Sequence, residues 1–320
     1  MNKPPLISII IPCYNASSTV ERCLDSALRQ SFPGGIEIIA IDDCSTDGTL
    51  GVISKQSKLN SAIRVLAHKR NSGVSASRND GIEAASGKFV AFLDADDEIN
   101  GDFIAHMLEL AESQNADIVA CNFQRIDGEG NARCLFSVHD KAPVTFSGTA
   151  YSHSLNHAQF LDNCIGKLFR LSFLNANHLR FNPLLSFGED TLFSNLAAAK
   201  ATHVTIDGAY TGYKYYINPM SCMNTIDISR RLKNLKILLE SLKIDLNADE
   251  EKLLLRKSLE CIWTIRKYGG KERKQLLANL VEDSLWTGIV FPIVLKYGKF
   301  KHRILARLIN GGFYFAISVW

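Results

Sequence analysis

The sequence has no apolar run of the roughly 18 residues that a membrane-spanning helix requires. Its longest uncharged stretches, 284–295 and 308–320, are both shorter. It also lacks a Cys-x-x-Cys pair and any spacing typical of a zinc site, so its eight cysteines predict reduced thiols in a cytoplasmic chain. With a formal net charge of only +3 over 320 residues, nucleic acid is not an expected partner.

Two phosphate-binding signatures are missing as well. No G-x-G-x-x-G sequence occurs, and no Walker lysine follows a glycine-rich loop. Their absence argues against NAD chemistry and against ATP chemistry of the P-loop type. His153 and His157 have the i, i+4 spacing of metal ligands, but no third ligand is near them in the sequence, so zinc is not expected there.

The stretch 89–97 is the most informative part of the chain. A short apolar run, typical of a fully buried strand of a parallel sheet, ends in Asp94, Asp96 and Asp97. Open α/β sheets bind ligands at the carboxyl ends of such strands. Three carboxylates this close repel one another, and a divalent cation that bridges to a substrate diphosphate would relieve the repulsion. The alternative is a solvated, Asp-rich turn.

Strand-like and helical segments alternate over the first 120 residues. Short connections between them predict right-handed βαβ units, and hence an α/β fold with a mostly parallel sheet covered by helices. The first helix is expected to open on a capping box, Ser18-Thr-Val-Glu21. Further on, 127–130 predicts a hairpin turn. The predicted strands are the runs 6–11, 36–41, 63–67, 89–93 and 117–121.

The character of the sequence changes near residue 225, where we place a domain boundary. After it, 228–242, 250–267 and 271–286 each have helical periodicity, which predicts a helical C-terminal region over 226–320. The stretch 284–320 has no acidic residue and mixes lysine and arginine with aromatic side chains. It is either a segment that binds an anionic membrane surface or a helical tail packed on its own domain or on a second subunit.

A second acidic loop follows the second predicted strand, in Asp42-Asp-Cys-Ser-Thr-Asp-Gly-Thr49. We expect adjacent strand ends to bring this loop close to Asp94 and Asp96. Carboxylates in such a loop can accept hydrogen bonds from a nucleobase or a ribose. Alternatively, Asp47 or Ser45 starts the next helix as a cap, which would explain one acid but not the pair at the end of the strand.

Two further stretches have both a functional and a structural interpretation. In Asn71-Ser-Gly-Val-Ser-Ala-Ser-Arg-Asn-Asp-Gly81, small residues permit an anion to approach a helix N-terminus. Arg78 can pair there with a phosphate or with a carboxylate of the site. The same small residues would suit a helix packed tightly on the sheet. Glu189 and Asp190 stand at the start of another predicted helix, where acids commonly act as caps.

In order along the chain, these stretches resemble the signatures of the inverting family-2 nucleotide-sugar glycosyltransferases of the GT-A fold, of the bacterial cell-surface polysaccharide type. Ser8-Ile-Ile-Ile-Pro-Cys-Tyr-Asn15 is similar to the opening strand and nucleotide loop of that family. The loops at 42–49 and 71–81, Asp94-Ala-Asp96 and Glu189-Asp190 resemble its later motifs. The resemblance runs from residue 7 to about 221. It implies a GT-A domain over 1–225, with a nucleotide-binding half over about 1–120 and an acceptor half over about 121–225.

The resemblance also assigns roles to individual residues. It implies a catalytic base at Asp190, with Glu189 beside it. It implies a Mn²⁺ or Mg²⁺ ion that Asp96 holds on the donor diphosphate. The nucleotide pocket that it implies is lined by Pro12, Tyr14, Asp42, Asp43, Arg78 and Asp94.

The expected activity is transfer of a single sugar, because the chain lacks the Q-x-x-R-W motif of processive polymer synthases. By resemblance, the donor is a nucleotide-diphosphate sugar, UDP-linked, and the acceptor is lipid-linked or a surface glycan at the inner face of the cell membrane. Two alternatives stay open. A nucleotidyltransferase would carry a glycine-rich loop with a lysine where this chain has Pro12-Cys-Tyr-Asn15. A nucleotide-sugar-binding assembly protein would have lost catalysis.

Overall fold

The computed structural model describes residues 5–30, 34–134, 142–147, 160, 163–185, 188–217 and 291–297. The chain divides into two compact units, Met1–Ser221 and Cys222–Trp320. In the described part of the second unit there is one helix, 291–297. The helices predicted between 228 and 286, the histidines at 153 and 157, and most of 284–320 lie outside the described residues, so those expectations stay predictions.

The strands of the described residues belong to the first unit. They are β1 (Ile7–Cys13), β2 (Ile36–Asp42), β3 (Ile63–Ala67), β4 (Phe89–Phe92), β5 (Glu98–Ile99), β6 (Ile118–Cys121), β7 (Phe123–Ile126), β8 (Ala132–Cys134), β9 (Val144–Ser147), β10 (Lys167–Arg170), β11 (His203–Asp207) and β12 (Tyr213–Tyr216). The helices are α1 (Val20–Leu28), α2 (Thr49–Leu59), α3 (Val74–Ala84), α4 (Phe103–Ser113), α5 (Leu171–Ala176), α6 (Glu189–Lys200) and, in the second unit, α7 (Phe291–Tyr297).

The large sheet has the strand order β3-β2-β1-β4-β10-β6-β11-β9. Its first four strands are parallel to one another, as the βαβ alternation predicts. Strand β10 then runs antiparallel to both of its neighbours, so the sheet as a whole is mixed. Because helices cover the faces of a parallel sheet, its central strands are buried on both sides. All four residues of β4 are buried, as are six of the seven in β1.

The strand order corrects one expectation. The sequence predicts adjacent strand ends that bring the loop after β2 beside the loop after β4. In the structure, β1 lies between β2 and β4. Strand order is decided by long-range packing and is not contained in the local alternation pattern, so the acidic loops flank the end of β1 from opposite sides.

A smaller sheet, with the order β5-β12-β7-β8, lies beyond the turn that follows β4. Strands β7 and β8 form the hairpin predicted at 127–130. The carboxylate of Asp127 accepts hydrogen bonds from the backbone N–H groups of Glu129 and Asn131, and Gly130 supplies the positive φ of 84°. Strand β12 pairs with β7 of this hairpin and with β5. Strand β5 directly follows the acidic turn.

The predicted capping box is wrong. Helix α1 begins at Val20, and Thr19 stands at its N-cap without a side-chain cap bond. The Thr19 hydroxyl donates instead to the carbonyl oxygen of Ala16, at 3.3 Å. Among the described residues, no helix combines the length and apolar character needed to cross a bilayer.

Candidate active site

Hydrogen bonds between backbone and side-chain groups connect the loops after β1 and β2. The Asn15 carboxamide oxygen accepts a hydrogen bond from the Thr46 N–H at 2.8 Å, and the Asn15 N–H donates to the Ser45 hydroxyl at 3.0 Å. The Ser17 N–H donates to Asp47 at 3.0 Å. Asn15 adopts a φ of 49°, which asparagine tolerates better than most residues. The two predicted nucleotide loops therefore form one rigid rim.

The predicted nucleotide residues at this rim have different environments. Tyr14 is 50% exposed, as a side chain that stacks on a base would be. Pro12 is half-buried at the end of β1. Asp42 is buried, and its Oδ2 accepts the Ser45 N–H at 3.1 Å. Its Oδ1 has no hydrogen-bond partner among the described residues, which is costly for a buried carboxylate unless a ligand supplies a donor.

Asp47 and Asp43 separate the two interpretations of the second acidic loop. Asp47 accepts the Thr49 N–H at 2.9 Å, which is an Asx turn, while the N-cap of α2 is Gly48 without a side-chain cap bond. Asp43 is buried and holds the next loop instead. It accepts the N–H groups of Ser72 and Gly73, at 2.8 and 2.7 Å. Gly73 has a φ of 87°, a conformation that glycine adopts without strain.

His68, at the end of β3, completes the environment of Asp43. Its Nδ1 lies 2.7 Å from Asp43 Oδ1, and its Nε2 lies 2.8 Å from Asp80 Oδ2. Both ring nitrogens face carboxylate oxygens, so both must carry hydrogen, which is the charged form. Burial alone would lower the pKa of His68, but the bonds to Asp43 and Asp80 outweigh it and raise that pKa.

Arg78 of α3 joins two motifs that are far apart in the sequence. Its Nη2 lies 2.9 Å from Asp94 Oδ1, and its Nη1 lies 2.9 Å from Glu189 Oε1. The guanidinium is buried and its Cζ lies 5.2 Å from the ring centroid of Phe181. Its Nε has no hydrogen-bond partner among the described residues. Of the two partners expected for Arg78, the structure shows the carboxylates.

The stretch 71–81 also has the structural role that its small residues predict, which is to let a helix pack tightly on the sheet. A Cβ on Gly81 would lie 2.3 Å from Cγ2 of Ile10 on β1. Glycine at this position therefore lets α3 pack directly on the central strand. That close packing fixes the helix axis, and with it the direction in which Arg78 reaches the carboxylates.

Phenylalanine contacts hold α6 against the sheet. Phe193 of α6 stacks on Phe181 with ring centroids 4.0 Å apart. It makes edge contacts with Phe92 of β4 and Phe169 of β10, at 5.8 and 5.4 Å. Aromatic pairs of this kind stabilise by about 0.5–1.5 kcal/mol beyond the area they bury. They place the first turn of α6 beside the end of β4.

Asp190 stands in that first turn, directly after Glu189. Burial raises the pKa of its carboxyl group to about 7, and the charge of Glu189 adds to the effect, while Arg78 opposes it. Gly188, with a φ of 79°, stands at the N-cap, and Asp190 Oδ1 accepts the Thr191 N–H at 2.7 Å, so this acid also bonds to a backbone group of the first turn. A carboxylate with a pKa near neutrality is suited to take a proton at physiological pH.

The turn after β4 holds the three predicted carboxylates. The Asp97 N–H donates to the Asp94 carbonyl at 3.0 Å, which closes the turn. Burial raises the pKa of Asp97 well above its usual range, and the charges of Asp94 and Asp96 raise it further. The repulsion predicted from their spacing is therefore present.

Cys13, at the end of β1, shows that the acidic loops converge. Burial raises the pKa of its thiol, and the charges of Asp42 and then Asp94 raise it further. These carboxylates therefore act on the same central strand end from the β2 side and from the β4 side. The predicted nucleotide residues and the predicted catalytic pair lie at one edge of the sheet.

The donor atoms fit a hard divalent cation that is shared with a diphosphate. Asp94 is bonded to Arg78, and Asp97 is bonded to β12. In the described part of the chain, no three His, Cys, Asp or Glu side chains form a metal centre by themselves. Mg²⁺ is usually held by one or two carboxylates together with substrate phosphates. The half-buried Asp96, which the resemblance names as ligand, fits that pattern.

Sequence reasoning did not assign roles to three residues that organise the site. Asn15 could have been noticed as an asparagine beside a proline-containing strand end, where a left-handed turn is common. His68 directly follows a predicted strand, which is where ligand-binding loops begin. Tyr213 contacts the acidic turn from a distant strand, and no local signal marks that contact.

The chain belongs to a known family. Residues 8–170, about half of the chain, match the family described as Glycosyl transferase family 2. The match covers the stretches 8–15, 42–49, 71–81 and 94–96 and ends before Glu189 and Asp190.

Curated relatives match about two-thirds of the chain. The uncharacterized glycosyltransferase EpsJ of Bacillus subtilis is 32% identical over 222 residues, which is 68% of this chain and 62% of EpsJ. The succinoglycan biosynthesis protein ExoO of Rhizobium meliloti is 29% identical over 220 residues, with the same two coverages. A poly(ribitol-phosphate) beta-glucosyltransferase of Bacillus spizizenii is 30% identical over 65% of this chain and 32% of its own. This chain thus spans less than two-thirds of these relatives.

Solved structures confirm the predicted fold. Staphylococcus aureus TarS 1–349 in complex with UDP matches with a TM-score of 0.74 at 21% identity, over 98% of this chain and 90% of that one. Mannosyltransferase PcManGT of Pyrobaculum calidifontis, in complex with GDP-Man and Mn²⁺, matches with a TM-score of 0.58 at 16% identity, over 100% of this chain and 88% of its own. The first unit has the GT-A fold.

Proposed function

We propose that the protein is a metal-assisted, inverting glycosyltransferase that transfers a single sugar from a nucleotide-diphosphate sugar, UDP-linked, to a lipid-linked or surface-glycan acceptor. The observation that carries this proposal is the position of Arg78. It bonds at 2.9 Å both to Asp94 of the nucleotide side and to Glu189 of the acid pair. A donor bound at Asp94 would present its sugar to the acid pair Glu189-Asp190.

In the proposed reaction, an acceptor hydroxyl oxygen attacks the anomeric carbon from the face opposite the leaving group. The bond from that carbon to the phosphate oxygen breaks, the new glycosidic bond forms, and the nucleoside diphosphate leaves. Asp190 takes the hydroxyl proton. Its pKa of about 7 supports this role, since a base works best when its pKa lies near the operating pH.

The other residues bind and orient the substrates. Tyr14 and the unpartnered oxygen of Asp42 are placed to receive the nucleoside. Arg78 pairs with both Asp94 and Glu189, so that their charges are compensated. A Mn²⁺ or Mg²⁺ ion at Asp96 would stabilise the charge that grows on the leaving diphosphate.

The choice of donor and acceptor is supported by what similar proteins bind. TarS has been solved with UDP and with UDP-GlcNAc. Curated relatives are named for succinoglycan biosynthesis and for poly(ribitol-phosphate) glycosyl transfer. We therefore assign this chain a UDP-linked donor and a cell-surface glycan acceptor. We also propose that it acts on the cytoplasmic side of the membrane, with 284–320 as its membrane-binding segment.

Isothermal titration with UDP, GDP and dTDP, with and without Mn²⁺, tests the donor half of the proposal. We expect UDP to bind in a Mn²⁺-dependent way, and Asp96→Ala to remove that dependence. Release of UDP from UDP-sugars in the presence of membrane lipid or glycan fractions then tests transfer. Release of pyrophosphate would instead indicate a nucleotidyltransferase, and binding without any turnover would indicate a non-catalytic assembly protein.

A further inference from the structure

The acidic turn links the two sheets. Strand β4 belongs to the large sheet, and β5, which follows the turn, pairs only with β12 of the smaller sheet among the described strands. Residues 94–97 therefore connect a strand of one sheet to a strand of the other. The position of the carboxylates depends on how firmly the turn is held to both sheets.

A hydroxyl group of the smaller sheet contacts both ends of the turn. Tyr213 of β12 is fully buried. Its hydroxyl oxygen accepts the Asp94 N–H at 3.2 Å, and the same hydroxyl donates to Asp97 Oδ2 at 2.7 Å. The ring is fixed by an edge contact with Phe123, with centroids 5.5 Å apart. Tyr213 thus joins the first and last residues of the turn.

Asp97 completes the connection through its second oxygen. Oδ1 accepts the Tyr216 N–H at 2.9 Å, so both oxygens of this buried side chain bond to β12. Arg22 of α1 donates to the carbonyl oxygen of Asp96 at 2.6 Å. The peptide that carries Asp96 is therefore held from α1 and, through its neighbours, from β12.

We infer that Tyr213 and Asp97 are positioning residues, which set the geometry of the Asp94 and Asp96 carboxylates toward a divalent cation and a nucleoside diphosphate. This inference rests on the proposed function. Groups that orient metal ligands without touching the metal commonly change metal affinity by about 10–100-fold when they are removed. Hard cations such as Mg²⁺ demand near-ideal ligand geometry, which makes such support effective.

The test compares two tyrosines of the same segment. Tyr213→Phe removes the hydroxyl that holds the turn and keeps the ring. Tyr210→Phe is the matched control, because the Tyr210 hydroxyl also donates to an aspartate, Asp102, at 2.7 Å but does so away from the turn. Mn²⁺ binding is measured by electron paramagnetic resonance in the presence of UDP, and UDP binding is measured separately in EDTA.

We expect Tyr213→Phe to weaken Mn²⁺ binding at least tenfold while UDP binding in EDTA changes less than threefold. Tyr210→Phe should leave both within about twofold of the unaltered protein. Asp97→Asn provides a second variant, because its amide can face only one of its two donors with an oxygen. If the two residues position the turn, Asp97→Asn weakens Mn²⁺ binding as well. The double variant should then lose no more Mn²⁺ affinity than the product of the two single-variant losses.

Two results would overturn the inference. One is unchanged Mn²⁺ affinity in a folded Tyr213→Phe protein that binds UDP normally. The other, which applies should Tyr213→Phe not fold, is unchanged Mn²⁺ affinity in Asp97→Asn. Failure of the proposed function gives a different result, since an unaltered protein that binds Mn²⁺ and UDP but transfers no sugar would leave the positioning role intact. An unaltered protein that binds no Mn²⁺ with UDP refutes both.

Discussion

Buried carboxylates at the two opposite edges of the same sheet differ in how completely they are hydrogen-bonded. At the amino edge, buried Glu37 of β2 accepts hydrogen bonds from the Ser8 hydroxyl, from the N–H and hydroxyl of Ser86, and from Arg64, at 2.6–3.0 Å. Burial opposes its charge, but these bonds outweigh burial and lower the pKa of Glu37. Each oxygen of that carboxylate has a donor.

At the carboxyl edge, some buried polar atoms have no hydrogen-bond partner among the described residues. They include Asp42 Oδ1 and Arg78 Nε. Burial raises the pKa of Asp190 to about 7. An unsatisfied buried polar group costs about 1–3 kcal/mol, so this edge lowers stability where the amino edge adds to it. Such a cost is expected where a ligand completes the bonds.

Asp190→Asn should produce the largest effect on activity. Loss of a general base typically lowers the rate about 10²–10⁴-fold, and sugar transfer should fall by that factor. The same change should stabilise the protein at pH 8. The folded-state pKa of Asp190 is raised, so the folded protein still holds a proton that the unfolded chain releases above about pH 4. Its contribution to stability therefore falls as pH rises toward 7, and asparagine avoids that loss.

Urea unfolding at pH 4.5, 6 and 8 measures this effect. The free energy of unfolding of Asp190→Asn should exceed that of the unaltered protein by an amount that grows with pH, to at most about 4 kcal/mol. Asp127→Asn is the control, since hydrogen bonds from Asn131 lower the pKa of that hairpin carboxylate and the sign should be reversed. Near-normal transfer by Asp190→Asn would refute the role of Asp190 as base.

Arg78→Met and Glu37→Gln test the difference between the two edges directly. Arg78→Met leaves Asp94 and Glu189 without a countercharge in a buried site, and breaking such a pair costs about 3–5 kcal/mol. It should also reduce UDP binding in Mn²⁺ more than tenfold. Glu37→Gln should cost about 1–3 kcal/mol, because Arg64 is partly exposed and can be solvated.

The decisive measurement for this pair is nucleotide binding. Titration of UDP in Mn²⁺ should give the same affinity for Glu37→Gln as for the unaltered protein, although that variant unfolds at lower urea. If Glu37→Gln binds UDP as poorly as Arg78→Met does, the division into a structural edge and a ligand-binding edge is wrong.

Much of the fold was predictable from the sequence, because its strands are short, mainly apolar runs. The predicted strand 63–67 coincides with β3, and the others agree with the structure within two residues at each end. The antiparallel β10 and the placement of β1 between β2 and β4 were not predictable. Both depend on contacts between segments that are distant in the sequence, which a local pattern does not record.

Many residues of the candidate site were predictable from the sequence, but the bonds between them were not. The motifs supplied Asp94, Glu189 and Arg78, but the bond from Arg78 to Glu189 joins residues 111 positions apart. The bond from Tyr213 to Asp97 spans 116 positions. Glu37 gave no signal, because an acid near the start of a strand is usually at the surface. The roles assigned to the individual site residues stay predictions.

His68→Gln should have the smallest effect and tests how far the ligand-binding edge depends on pH. The pKa of His68 is raised in the folded protein, so its contribution to stability is complete below about pH 6.5 and is lost as pH rises through the folded value. Glutamine can bond to only one of Asp43 and Asp80 as a donor. The variant should therefore be less stable at pH 6, by no more than about 1 kcal/mol because Asp80 is largely exposed.

Thermal unfolding and UDP titration at pH 6 and pH 9 check this prediction. Asp43 keeps its bonds to Ser72 and Gly73, so UDP affinity at pH 6 should fall only a few-fold. The pKa of His68 is raised, so the difference between the two proteins in stability and in affinity should shrink as pH rises from 6 to 9. A difference that is the same at both pH values would contradict this prediction.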